Sequence, residues 1–279
     1  MSRLLLVSIL TLVSLGQADT TPTAKCHRML DDALTDKNPD TRKEAVIALS
    51  LDVVSDRLIS QLASMLDDKD VPVREAAVVS LSDLKSPRTA GILEKALGDP
   101  VPEVAFAAAK ALYELHVPAG QAALLAVLSG QEKTSSGFVR SQFRQGMRML
   151  HTPKAAFLMG LKQGLGFVPL PGFGEGLSSF QGILSDNGVS GRATAALLLG
   201  HQRDAATVRA LRRALGDDDW SVRAAAIHSL ALQNDTTVQP QLAFLLDDAK
   251  LPVRLRAAAA WLRLDAILTA RRHRTLQTR

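Results

Sequence analysis

The sequence predicts an all-α fold, an α-solenoid of about seven stacked helix pairs with one irregular insertion. Three observations carry this. A sixteen-residue phrase recurs: "LDDKDVPVREAAVVSL" (Leu66 to Leu81) returns as "LGDDDWSVRAAAIHSL" (Leu215 to Leu230). Apolar residues make up 47% of the chain but aromatics only 4%, so the core must be Leu, Ala and Val, a palette weighted to helix. Turn residues, as in "KSP" (85–87), divide each repeat into two helix-length halves.

The period is explicit. The leucine of each phrase falls at Leu34, Leu66, Leu97, Leu128, Leu184, Leu215 and Leu246, with steps of 32, 31, 31, 56, 31 and 31 residues. Two places on stand Asp36, Asp68, Asp99, Asp186, Asp217 and Asp248. Eight places on stand Arg42, Arg74, Arg192, Arg223 and Arg254, with Ala105 as the exception and Arg140 displaced by four residues in the Leu128 unit. Self-similarity at this spacing is the signature of repeats that cannot bury an apolar face alone and must stack.

Within one period, Asp70 and Pro72 are helix start signals. "VREAAVVSLSDL" then places Val73, Ala76, Ala77, Val79 and Leu81 on one broad apolar face. "RTAGILEKALGD" follows as a second helix with Ile92, Leu93, Ala96 and Leu97 inward. The alanine runs ("REAAVVS", "AFAAAKA", "RAAAIHS", "RLRAAAA") suit close helix approach. The recurring arginine sits in a first turn, where it opposes the positive end of the helix dipole. The periodic aspartate, from the same unit or the next, is the partner expected to compensate it.

The pattern D-x-x-(P/S)-V-R-x-A-A-x-x-(A/S)-L resembles HEAT repeats, in the short HEAT-like form also seen in phycobilin lyases. The resemblance covers residues 28–265 apart from the insertion. It implies a right-handed solenoid in which Asp68 with Arg74, Asp217 with Arg223 and Asp248 with Arg254 form a structural ladder. The fold by itself does not assign a function.

The long step from Leu128 to Leu184 contains the insertion, about residues 159–183. "MGLKQGLGFVPLPGFGEGLSSFQGIL" (159–184) holds seven of the 18 glycines and three of the eight phenylalanines. Glycine at this density with Pro169 and Pro171 forbids a regular helix. Two readings stand: a plug between repeats, or an exposed apolar loop whose Phe167, Leu170, Pro171 and Phe173 bind a partner.

The first residues are separate from the core. "MSRLLLVSILTLVSLGQADT" has Arg3, an apolar run from Leu4 to about Gly16, and small residues before Asp19. The run is short for a membrane span of roughly 20 residues and fits a secretory signal over 1–18. Residues 19–27 read as a flexible mature N-terminus carrying the single, unpaired Cys26, and 266–279 as a basic C-terminal tail. The expected location is periplasmic or secreted.

Charge and motifs exclude several functions. The net charge of +5 comes from Arg3 and the tail residues Arg271, Arg272, Arg274 and Arg279, leaving the body balanced. A neutral body with few aromatics lacks the footprint of a nucleic-acid binder. "GFGEG" (172–176) lacks the features of a phosphate or dinucleotide loop, and no H-E-x-x-H, C-x-x-C or G-x-S-x-G occurs. The scattered histidines form no metal pair, and the recurring acidic clusters belong to the repeat as caps. No cofactor or metal is expected. Deoxyhypusine hydroxylase shares this type of solenoid but binds iron through His-Glu pairs, and this chain contains no His-Glu dipeptide. The sequence therefore points to an exported, non-enzymatic scaffold holding a protein or peptide partner on its surface, with any membrane contact falling to the insertion. The alternative is a lyase- or chaperone-like factor acting on a bound tetrapyrrole or protein client.

Overall fold

Among the described residues the repeat phrase folds as an inner helix, a tight stop, and an outer helix that closes on the next periodic leucine. The computed structural model describes residues 21–129 and 191–277, and among these are twelve α-helices and no strand. In chain order they are α1 (Pro22–Leu34), α2 (Pro39–Leu49), α3 (Asp56–Ser64), α4 (Val71–Asp83), α5 (Ala90–Ala96), α6 (Pro102–Glu114), α7 (Pro118–Ser129), α8 (Gly191–Leu198), α9 (Ala205–Ala214), α10 (Trp220–Leu232), α11 (Gln239–Leu245) and α12 (Leu251–Gln277).

The helices make two layers. The inner layer stacks α8 on α10, α10 on α12, α12 on α2, α2 on α4 and α4 on α6. The outer helices α9, α11, α1, α3, α5 and α7 lie against this row. Small side chains set the inner spacing: Ala224, Ala225 and Ala226 on α10 and Ala257 to Ala260 on α12 are all buried. At two joints the same serine slot adds a bond. Ser80 Oγ donates to the Val46 carbonyl at 3.2 Å, and Ser229 Oγ donates to the Ala196 carbonyl at 2.9 Å.

The stacking order is not the chain order. The C-terminal half joins the N-terminal half through α12, which packs on both α1 and α2. One unit is thus assembled from the two ends of the chain: α12 supplies its inner helix and α1 its outer helix. Side chains fasten the seam. Thr23 Oγ1 donates to Asp265 Oδ2 at 3.1 Å, Lys25 Nζ reaches Asp247 Oδ1 at 2.7 Å, Arg263 Nη1 donates to the Leu51 carbonyl at 3.2 Å, and Arg256 meets Glu44.

Three inner helices stop the same way, nineteen residues after the periodic leucine. Lys85 (φ 47°), His116 (φ 58°) and Asn234 (φ 58°) take the left-handed conformation. The following amides fold back in two of them, Val117 N–H to the Leu112 carbonyl at 2.8 Å and Asp235 N–H to the Leu230 carbonyl at 3.1 Å, which satisfies carbonyls left open at the helix end.

Several sequence expectations need correction. Residues 22–27 are not a flexible lead: they open α1, whose capping Thr21 accepts from the Ala24 N–H at 3.2 Å, and Cys26 is fully buried. The residues from 266 to 277 are not a separate tail but continue α12 as an exposed helix. On α4 it is Val78, not Val79, that is buried with Val73, Ala76, Ala77 and Leu81, because the helix is covered on two sides. Asp70 precedes α4, but its side chain makes no cap bond; Arg42 takes its carboxylate at 2.6 Å instead. The expected signal and the insertion, including Phe167, Leu170, Pro171 and Phe173, lie outside the described residues.

Candidate functional site: a groove in the outer helix layer

The ladder residues form the base on which the groove is built. The aspartate two places after each leucine turns the chain into the next inner helix. Its Oδ1 accepts the N–H two residues on: Asp36 from Asn38 at 2.7 Å, Asp68 from Asp70 at 2.8 Å, Asp99 from Val101 at 2.8 Å, Asp217 from Asp219 at 2.9 Å and Asp248 from Lys250 at 2.8 Å. Such side-chain-to-backbone turns are what aspartate supplies before a helix.

The arginines then link the units in two ways. Within a unit the contact is to backbone: Arg74 Nη1 donates to the Asp68 carbonyl at 2.9 Å, Arg223 to that of Asp217 at 2.7 Å and Arg254 to that of Asp248 at 2.8 Å. The carboxylate comes from the next unit. Arg74 forks Asp99 at 2.8 and 3.1 Å, Arg223 forks Asp248 at 2.8 and 2.9 Å, and Arg42 forks Asp68 at 2.7 and 2.8 Å. Arg192 reaches Asp217 at 2.5 Å. The pairs Asp68–Arg74, Asp217–Arg223 and Asp248–Arg254 are therefore joined through main chain, and the ion pairs are staggered by one unit. Planar arginine suits this, since one edge can hold a carboxylate while the other nitrogen reaches carbonyls.

The charges respond. The Arg42 hydrogen bonds hold the Asp68 carboxyl below the usual carboxylate range, against the opposing effect of burial. At Asp248 burial pushes upward most strongly, but the Arg223 hydrogen bond, the Lys250 N–H and the charges of Arg223 and Arg254 together bring it down. The Asp99 hydrogen bond raises Arg74. The first-turn arginine is thus offset by a carboxylate and by loop carbonyls, despite its unfavourable place on the helix dipole.

Above this base the outer helices separate. Between α1 and α3, Asp31 fills the space by accepting from Arg57 Nη2 at 2.7 Å and Gln61 Nε2 at 2.7 Å. Between α3 and α5 the corresponding slots differ. Ile92 stands where Gln61 would be, counted back from the closing leucine, and Ala63 stands where Asp31 would be. Arg88, the counterpart of Arg57, turns instead to Asp56. Between these helices lies a groove of about 700 Å³. Its walls carry Ser60 and Ser64 from α3 and Ile92 and Lys95 from α5, over the Arg74–Asp99 pair. Such a lining offers hydroxyl donors and acceptors, one ammonium, a short apolar strip and the carboxylates of Asp67, Asp68 and Asp99, the last two held by the ladder arginines. It suits an extended polar chain more than a small apolar ligand.

Among the described residues no group of His, Cys, Asp and Glu is arranged to hold a metal ion, and no helix is long and apolar enough to cross a membrane. Sequence reasoning missed the groove. It lies on outer helices, whose sequences repeat far less faithfully than the inner ones, and Ala63 and Ile92 stand at slots that vary from unit to unit.

The family profile agrees with the architecture. The sequence profile of HEAT repeats matches residues 28–113, 59–148 and 180–263. No curated protein sequence matches the chain. Similar solved structures include human deoxyhypusine hydroxylase in complex with glycerol, at 16% identity over 88% of this chain and 97% of that one, with a TM-score of 0.34. The complex of CpcE and CpcF of phycocyanin lyase from Nostoc sp. is similar at 17% identity over 87% and 94%, with a TM-score of 0.33. A designed armadillo repeat protein is similar at 16% identity over 85% and 98%, with a TM-score of 0.28. With the repeat profile matching on both sides of the insertion and the ladder recurring at the period, the chain belongs to the HEAT-repeat family.

Proposed function

We propose that this chain is an exported, non-enzymatic scaffold that holds a peptide segment of a partner protein in the α3–α5 groove. The observation that carries this is the open groove between α3 and α5 with its polar lining. At α1–α3 the outer helices are bonded to each other through Asp31, whereas at α3–α5 Ser60, Ser64, Ile92 and Lys95 line an open groove. A partner backbone there can exchange hydrogen bonds with the two serines while a carbonyl meets Lys95 and a donor or cation meets Asp67.

The test is a photo-crosslinker at Ser64 in the full chain, with the same probe at Arg213 on α9 as a control in the same layer. A discrete adduct from Ser64, absent from Arg213 and lost in Lys95→Glu at unchanged melting temperature, supports the groove. Equal adducts at both positions, or none at Ser64, rule it out. Export is tested separately: N-terminal sequencing of the mature protein is expected to begin at or near Asp19, and an intact Met1 in a cytoplasmic protein refutes it.

A further inference from the structure

Where three inner helices stop, α12 runs on. Nineteen residues after the periodic leucine stand Lys85, His116 and Asn234, each left-handed. At that slot α12 carries Asp265 and stays helical to Gln277. The extension adds about three turns, roughly 18 Å, and from Thr269 to Gln277 every residue is exposed. It holds Arg271, Arg272, His273 and Arg274 and no acid, whereas the body of the chain is balanced in charge. Cations favour the helix dipole only within the last turn, so the dipole gives no reason to build this much helix outside the core. Leu276, 73% exposed, lies one turn on from Arg272 and His273 and shares their face.

The start of α1 lies at the same pole. Thr23 Oγ1 donates to Asp265 Oδ2 at 3.1 Å, so α1 begins beside the root of the extension. The apolar run Leu4 to Leu15 ends six residues before Thr21, and that much chain spans at most about 21 Å. We infer that the extension of α12 docks on an anionic lipid bilayer, with its arginines and His273 among the headgroups and Leu276 toward the acyl chains. On the export reading, on which this rests in part, a bilayer takes up the apolar run before cleavage. Once the run is removed, the extension keeps the body at the membrane; the α3–α5 groove plays no part. Four consecutive cationic positions surround the helix and leave no broad apolar face, so it lies on the surface and does not span. A nucleic acid would require further cations on the body, which is neutral.

The experiment places a nitrobenzoxadiazole probe on the extension of the full chain through Leu276→Cys. Cys26 is fully buried and burial pushes its thiol up to about 12, so it stays unlabelled. The chain is titrated with vesicles of phosphatidylcholine alone or mixed with phosphatidylglycerol. A blue shift of the probe is expected on the mixed vesicles only, and to be lost at high salt. Each arginine near an anionic surface strengthens binding roughly fivefold, so adding Arg271→Gln and Arg272→Gln is expected to raise the lipid needed for the shift about thirtyfold. A probe that shifts on neither vesicle, equally on both, or as readily without the two arginines overturns the docking. A short DNA duplex that abolishes the shift at equal phosphate concentration overturns the lipid in favour of nucleic acid. The probe reads the extension whether or not the mature chain begins at Asp19, so its failure is distinct from a failure of export.

Discussion

Arg256 and Glu44 meet between neighbouring inner helices, Nη1 to Oε2 at 2.9 Å, with the arginine side chain 0% exposed and the glutamate 13%. Both stand ten residues after the periodic leucine, where the other inner helices carry Ala76, Ala107, Thr194 and Ala225. The joint between the two ends of the chain thus carries, beside the ladder, an ion pair at a slot where the other described inner helices have alanine or threonine. A buried pair contributes little net stability, but removing one member strands the other.

The pair predicts an asymmetric stability series. Glu44→Ala leaves Arg256 charged and enclosed, and is expected to cost about 3–5 kcal/mol. Replacing both, with Arg256→Met and Glu44→Leu, is expected to return the urea midpoint to the wild-type value or above it, since the apolar pair has no desolvation to offset. A single mutant within about 1 kcal/mol of wild type contradicts the stranded charge.

This joint shows where the sequence was legible and where it was not. Repeating Leu, Asp and Arg slots gave the helix pairs, the small inner side chains and the ladder residues, because those features follow from contacts every unit makes. A periodic sequence cannot say which unit stacks on which. The ends looked like ends, so Pro22 to Cys26 read as a lead although it starts the outer helix of the last unit. Arg256 in an alanine slot was the available signal. The ladder stagger was open for a similar reason: Asp68 lies near Arg74 in sequence, but a carboxylate committed to its own turn faces back toward Arg42.

The stagger has its own prediction. Arg223 holds both the Asp248 carboxylate and the Asp217 carbonyl, while no carboxylate among the described residues meets Arg254, which donates to the carbonyls of Asp248 and Ala249. Arg223→Ala is expected to cost about 1–3 kcal/mol, and Arg254→Ala less. A double-mutant cycle between Arg223 and Asp248 is expected to show coupling of about 0.5–3 kcal/mol, and one between Arg223 and Asp217 almost none, because the latter contact is to main chain. Equal couplings refute the stagger.

Stability also carries a pH signature of two signs. Asp68 and Asp248 lie below their ordinary 3.8 when folded, so the unfolded chain takes up their protons first. Their contribution is complete above that value and is lost as pH falls through the lower folded values. Glu75 runs the other way. Burial, then the charge of Glu103, raise it above 4.5, so its contribution is present below 4.5 and is lost as pH rises through the folded value. Glu75→Gln is therefore expected to raise the melting temperature at pH 7 and leave it unchanged well below pH 4.5. A rise of equal size at both ends of the range excludes ionisation as the cause.

The left-handed stops separate backbone cost from side-chain use. Lys85 and His116 hold positive φ, which costs an L-residue roughly 1–2 kcal/mol relative to the right-handed region and glycine far less. His116→Gly is expected to stabilise the fold, by about 0.5–1 kcal/mol once glycine's greater unfolded freedom is subtracted. Asn234 holds the same conformation, but its Oδ1 accepts from Arg263 Nε at 2.9 Å. That arginine also bonds the Ala231 carbonyl on α10 at 3.0 Å and Leu51 beside α2, tying both neighbours of α12 together. Asn234→Gly removes an acceptor from a half-buried cation, worth about 1.5–3 kcal/mol for a charged hydrogen bond, and this exceeds the backbone relief. Urea melts are expected to move up for His116→Gly and down for Asn234→Gly; a gain in both means that the Asn234–Arg263 bond contributes nothing to the seam.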